Sequence, residues 1–301
     1  MSEKGIATST ALEELEAELL LEGLRNYYGY DFRNYERAAV RSRIRECMMA
    51  VRITTISRFQ ERVLRDPSLL ERFLRTFSKS GVSMFSDPRF YKVFRTKVIP
   101  MLRTYPFVRI WHAGCSTGQE VYSLAILLEE EGIYERSRIY ATDLSEEAIR
   151  QARRGSFQAS AIEAFASNYI EAGGKRSFSD YASAKRGRLM IDPSLKKHIV
   201  FSEHNLATDG SFNEFQVIIC RELLASFNRT LKERVGNLIY ESLGRLGVLA
   251  LGPDESMESM PHRACYSVLD QSTGLFQKLG FSYDSINASV EQKCKPAAEV
   301  S

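Results

Sequence analysis

The chain has 301 residues, 44% hydrophobic and 26% charged, with a formal net charge of +3. That is enough apolar material for two domains and a substantial core, with no run of membrane-spanning length and no signal-peptide core at Met1–Ala11. The five cysteines, Cys47, Cys115, Cys220, Cys265 and Cys294, are too scattered for a metal site or a disulfide framework, so a reducing cytoplasm is the expected setting.

Charge is unevenly placed. Residues 25–97 hold 17 Lys and Arg against 7 Asp and Glu, and such a basic front half suits an acidic partner. Residues 1–11 are small and polar and are expected to be flexible. Leu12 to Tyr28 reads as an amphipathic helix with an acidic face, closed by Gly29. A second helix, Phe32 to Arg52, carries Arg33, Arg37, Arg41, Arg45 and Arg52 on about a third of its circumference. Beside them runs an apolar row of Val40, Ile44, Met48 and Val51. This row is either a solvated basic face or a docking surface for an acidic helix. No aromatic interleaving or nucleic-acid motif accompanies it. Thr55 to Phe77 reads as helix interrupted at Asp66-Pro67, Ser78 to Asp87 as a polar linker, and Arg89 to Leu102 as a further helix. A domain boundary is placed near residue 95.

The next stretch, Val108 to Ala125, begins as an apolar strand, passes through Gly114-Cys115-Ser116-Thr117-Gly118 and enters a helix with Val121, Leu124, Ala125 and Leu128 at helical spacing. Turn glycines let a ligand approach the backbone, and a helix start offers free N–H groups. Two chemistries fit the turn. As G-x-S-x-G it could be the elbow of a hydrolase with Ser116 as nucleophile, but that elbow follows several strands, and about a hundred mainly helical residues precede Gly114. As the first strand–helix turn of a nucleotide-binding sheet it calls for an acid at the end of the next strand. Arg138 to Asp143 is such a strand, and Asp143 lies 25 residues beyond Gly118. A purely structural turn with a capping Asp is the plain alternative.

Ser145 then caps a short helix that ends at Gly155. Residues 156–197 are irregular and basic and look like an insertion, with a strand candidate at Arg188–Ile191. His198–Phe201, Phe215–Cys220 and Val248–Gly252 are further strands, and Leu231–Leu243 is a helix. Alternating strands and helices predict an α/β fold with an open, mostly parallel Rossmann-like sheet, its binding cleft beyond the carboxyl ends of the strands. The four histidines lack ligand spacing, and Trp111 is expected to pack the sheet. The tail from residue 287 is polar and expected to be flexible.

Ile110-Trp111-His112-Ala113-Gly114-Cys115-Ser116-Thr117-Gly118-Gln119-Glu120-Val121-Tyr122-Ser123-Leu124, followed in order by Ala141-Thr142-Asp143, Asn205-Leu206, Val217-Ile218-Ile219-Cys220-Arg221 and Leu251-Gly252 with Glu255, resembles the CheR-type chemotaxis receptor methyltransferases. The likeness runs from about Tyr28 to Gly280. It implies an S-adenosylmethionine methyltransferase sheet behind an all-helical N-terminal domain, with residues 156–197 as a small β-subdomain that in some members holds a receptor tail. It implies a cofactor site drawn from Ser80, Val82, Ser86, Ala113, Gly114, Ser116, Gly118, Glu120, Asp143, Leu144, Asn205, Leu206, Glu222 and Leu223. In that site Glu120 holds the methionine ammonium, Asp143 the ribose, and Asn205 and Leu206 border the adenine. The implied partner is an acidic helical protein of the chemoreceptor kind, faced by Arg37, Arg41, Arg45 and Arg52 and recruiting the protein to a membrane receptor without insertion.

The departures fall on the substrate side. Ser86 stands where the family has an Arg near the methyl-transfer centre, Glu222 where it has Asn, and Ser226 where it has Tyr. Gly252-Pro253-Asp254-Glu255 replaces a Gly-His-Ser-Glu-like run. No catalytic residue is therefore securely retained, and Arg89, Arg95 and Arg221 are the cations left to compensate. Two functions follow: transfer of a methyl group to glutamate side chains of a signalling protein, or a catalytically impaired module that binds S-adenosylmethionine or S-adenosylhomocysteine as a scaffold.

Overall fold

The computed structural model of the chain describes residues 3–78 and 83–280. Four helices lead: α1 (Glu3–Tyr28), α2 (Arg37–Ala50), α3 (Ile56–Arg65) and α4 (Pro67–Arg75). The break between α3 and α4 falls at Asp66-Pro67 as its chemistry requires. Pro67 opens α4, and the Asp66 carboxylate accepts from the Ser68 and Leu69 N–H groups. Two elements differ from the sequence expectation. α1 starts at Glu3, not Leu12: no proline interrupts residues 3–11, and the helix from Leu12 onward extends back through them despite Gly5, Thr8, Ser9 and Thr10. α2 starts at Arg37, not Phe32, because the preceding residues are tied to the second domain. Glu36 N–H donates to the Ser226 carbonyl at 2.9 Å, Asn228 N–H to the Asn34 carbonyl at 3.0 Å, and Tyr35 and Phe227 form one antiparallel bridge. Arg33 accordingly lies off the basic row and pairs with Asp31 at 2.6 Å.

The helix predicted over 89–102 is three pieces: α5 (Pro88–Val93), a wider π turn over Phe94–Val98, and α6 (Ile99–Leu102). Pro100 has no N–H to return to the turn before it, which accounts for the irregularity.

Ten strands follow in chain order: β1 (Val108–Ala113), β2 (Ser137–Asp143), β3 (Ser156–Gln158), β4 (Ala182–Lys185), β5 (Arg188–Ile191), β6 (Ile199–Glu203), β7 (Phe215–Cys220), β8 (Leu243–Leu251), β9 (Tyr266–Asp270) and β10 (Leu275–Lys278). Seven make one sheet in the order β6-β2-β1-β7-β8-β10-β9. The first five are parallel, while β10 runs antiparallel to both β8 and β9. The helices α7 (Gln119–Glu130), α8 (Glu146–Arg154) and α10 (Arg229–Ser242) connect them. Strand order reverses between β1 and β7, so a crevice opens at the carboxyl ends of β1, β2 and β7. The insertion is a small antiparallel sheet, β3-β5-β4, whose strand β5 falls on the expected Arg188–Ile191, with an unexpected helix, α9 (Ile162–Glu171).

The helical front is held by aromatic packing. Phe73 is fully buried, with ring centroids 5.8 Å from Phe32, 5.7 Å from Phe59 and 5.2 Å from Phe77. Phe73→Ala is expected to cost about 3–5 kcal/mol, measured by urea unfolding followed by circular dichroism.

Candidate cofactor site

The turn after β1 is backbone that only a few residue types tolerate. Gly114 and Gly118 have φ of +70° and +93°, and Ser116 between them has φ +49°. A Cβ on Gly114 would sit 2.4 Å from Leu223 Cδ1, and one on Gly118 would sit 3.0 Å from Ala152 Cβ. Both glycines are therefore demanded by conformation and by space. The Cys115 N–H donates to the Thr142 carbonyl at 2.9 Å, which ties the turn to the end of β2. Trp111 is buried within the sheet and donates its indole N–H to the Thr142 hydroxyl at 2.8 Å.

The end of β2 carries Asp143, only 3% exposed. One carboxylate oxygen accepts from the Ser78 hydroxyl at 2.6 Å and the Ser145 N–H at 3.1 Å, and the other from the Ser116 N–H at 2.8 Å. Burial pushes this carboxyl above the usual carboxylate range, although these hydrogen bonds pull the other way. Gly114, Asp143, Leu144, Asn205, Leu206 and Leu223 line one cavity of about 40 Å³. Six of the sequence-predicted cofactor residues thus converge from the ends of β1, β2, β6 and β7.

Other predicted residues sit around rather than in this cavity. Ala113 is buried beneath the turn, while Gly118 and Glu120 begin α7. Glu120 is buried, 3.6 Å from Arg221 Nη1 and 3.7 Å from His112 Nε2. Ser86 is exposed. Ser80 and Val82 lie outside the described residues, as does the 287–301 tail. Glu222 is exposed and outside the cavity lining; its backbone is left-handed at φ +61° and its N–H is turned onto Glu255. That Glu255 carboxylate accepts from three N–H groups, Gly252 at 2.7 Å, Glu222 at 2.8 Å and Leu224 at 2.7 Å, and so shapes the loop that presents Leu223.

Of the candidate cations, Arg221 pairs with Asp87, the residue that follows Ser86. Its buried guanidinium meets Asp87 at 2.5 Å, faces Glu120 and lies 4.3 Å over the Phe90 ring. Arg95 is engaged by Glu130 and Glu131, and Arg89 is exposed. Missed by sequence reading were Tyr35 and Phe77 of the helical domain, which line the cavity together with Phe227. No local pattern links residues so distant in the chain. The basic row is also not bare. Arg37, Arg41 and Arg45 meet Glu18, Glu14 and Glu13 of α1 at 3.6, 2.8 and 2.9 Å, while Arg52 lies past α2 in a left-handed turn.

An open sheet of this order, with a strained glycine turn on its first strand and a buried acid at the end of the second, defines an S-adenosylmethionine-dependent methyltransferase. Residues 82–272 match the CheR methyltransferase, SAM binding domain, and residues 15–78 match the CheR methyltransferase, all-alpha domain. The chain belongs to the CheR methyltransferase family. Among its relatives, a Pseudomonas putida protein named as a candidate methyltransferase, Cher3, is 39% identical over 90% of this chain and 99% of its own. A chemotaxis protein methyltransferase of Listeria innocua is 29% identical over 76% and 85%.

The residues present fit S-adenosylmethionine. A glycine stands where a Cβ would intrude, and the buried Asp143 carboxylate has acceptor capacity for hydroxyl donors. Two outcomes follow. Glu255→Ala leaves three loop N–H groups without their acceptor and is expected to cost about 2–4 kcal/mol in thermal unfolding. Binding of S-adenosylhomocysteine, followed by calorimetry, should weaken on acidification at a pH above the ordinary carboxylate value of about 4, because the raised Asp143 carboxyl takes up a proton early. The Asp143→Asn variant should bind weakly and lack that pH dependence.

Proposed function

We propose that this protein transfers a methyl group from S-adenosylmethionine to glutamate side chains of an acidic, helical protein of the chemoreceptor kind. The supporting observation is the cavity that gathers Gly114, Asp143, Leu144, Asn205, Leu206 and Leu223 at the sheet's switch point, with the buried Glu120 at the start of α7. Asp143 accepts the ribose hydroxyls, one of which takes over the place of the Ser78 hydroxyl. Asn205 and Leu206 border the base, and Glu120 serves the ammonium of the methionine part. When bound, the cofactor supplies a methyl group activated by a sulfonium. The acceptor glutamate is ionised at neutral pH and needs no general base, so the protein's work is alignment and exclusion of water. Arg221, held by Asp87 and stacked on Phe90, places a fixed positive charge near the position of Ser86 and takes the electrostatic part that an Arg at 86 would have played.

The acceptor docks on α2. The ion pairs of Arg37, Arg41 and Arg45 with α1 are largely exposed, so each is worth at most about 1 kcal/mol. Carboxylates of an incoming acidic helix can replace them.

The deciding assay incubates the protein with methyl-labelled S-adenosylmethionine and an acidic helical receptor fragment. Label that enters the fragment and is released as methanol by mild alkali supports glutamate esterification. Cofactor binding without any transfer would favour the scaffold reading instead. In the same assay Arg41→Glu and Arg45→Glu are each expected to lower kcat/KM by about fivefold and leave S-adenosylhomocysteine affinity unchanged.

A further inference from the structure

Tyr35 belongs to the helical domain, yet it is drawn onto the methyltransferase domain by backbone. It bridges Phe227, and the next residue, Glu36, donates to the Ser226 carbonyl at 2.9 Å. Its ring is 7% exposed and stands edge-on to Phe227 and Phe77, with centroids 5.1 and 5.4 Å away. Those two rings hold it in one orientation, as a wall of the cavity that Asp143, Asn205 and Leu206 also line. Among the described residues its hydroxyl makes no hydrogen bond. Burial and the nearby Asp143 carboxylate push the phenol well above its usual range, so it remains a proton donor at any physiological pH. Ser226 lines the same cavity with a side chain turned onto the Leu223 carbonyl at 2.7 Å, which leaves that corner to the Tyr35 ring.

We propose that Tyr35 is a cofactor-binding residue lent by the helical domain: its ring closes the adenosine side of the pocket and its hydroxyl donates a hydrogen bond there. The inference rests on the placement of the cofactor argued above and adds a contact from the other domain. It also makes the pocket depend on the docking domain. Tyr35 lies two residues before α2, and its other side lines a groove of about 350 Å³ with Glu14, Glu18, Arg37 and Arg41. The cofactor pocket and the basic face therefore share one side chain.

Calorimetric titration of the full chain with S-adenosylhomocysteine tests this, using Tyr35→Phe, Tyr35→Ala and Asp143→Ala beside the unaltered protein. Tyr35→Phe keeps the ring packing, and its thermal midpoint should be unchanged. Its affinity should fall about tenfold, the worth of one hydrogen bond, and that of Tyr35→Ala further. Affinity of Tyr35→Phe equal to that of the unaltered protein, with Asp143→Ala unable to bind, overturns the role of the Tyr35 hydroxyl and leaves the pocket standing. Unchanged affinity in Asp143→Ala overturns the pocket itself. If Tyr35→Ala does not fold, the phenylalanine variant decides alone.

Discussion

A single buried carboxylate organises this molecule. Asp143 draws donors from three separate segments: Ser78 at the end of the helical domain, Ser116 in the glycine turn and Ser145 at the cap of α8. An ionised group this deeply buried is costly unless it is hydrogen-bonded, so its position dictates where those three segments must come. The raised proton affinity of the carboxyl shows that the hydrogen bonds do not fully offset the burial. The φ of Ser116 at +49° is part of the cost of that arrangement.

The same economy marks the seam between the domains. Asn34, Tyr35 and Glu36 pair with the backbone of Ser226 to Asn228, and aromatic rings from both sides close over it. Phe32, Tyr35 and Phe77 come from the helical part, and Phe227 from the loop after β7. Such packing leaves little freedom for the helical domain to move without disturbing the pocket.

Electrostatics divides the labour. Buried charges do positional work: Arg221 is locked between Asp87, Glu120 and the Phe90 ring, and Glu255 gathers three backbone N–H groups. Exposed charges on α2 are paired loosely with α1, where solvent screening keeps each pair weak. Strong pairs shape the pocket, and weak ones keep a surface exchangeable.

Much of this was legible in the residues. The glycine turn, the acid at the end of the following strand and the alternation of strand and helix are local patterns, because turn conformation and hydrophobic periodicity are properties of neighbouring residues. They single out Gly114, Asp143, Asn205 and Leu206, which the fold brings around one cavity. What the tertiary structure decided was long-range: that Tyr35 and Phe77 join the pocket, that Phe32 to Glu36 give up helix for pairing with residues near 227, that Glu255 holds the backbone at Glu222, and that glutamates of α1 pair with the arginines of α2. None of these has a sequence signature, since each depends on burial and hydrogen-bond satisfaction between segments brought together only when the sheet and the helical domain close on each other.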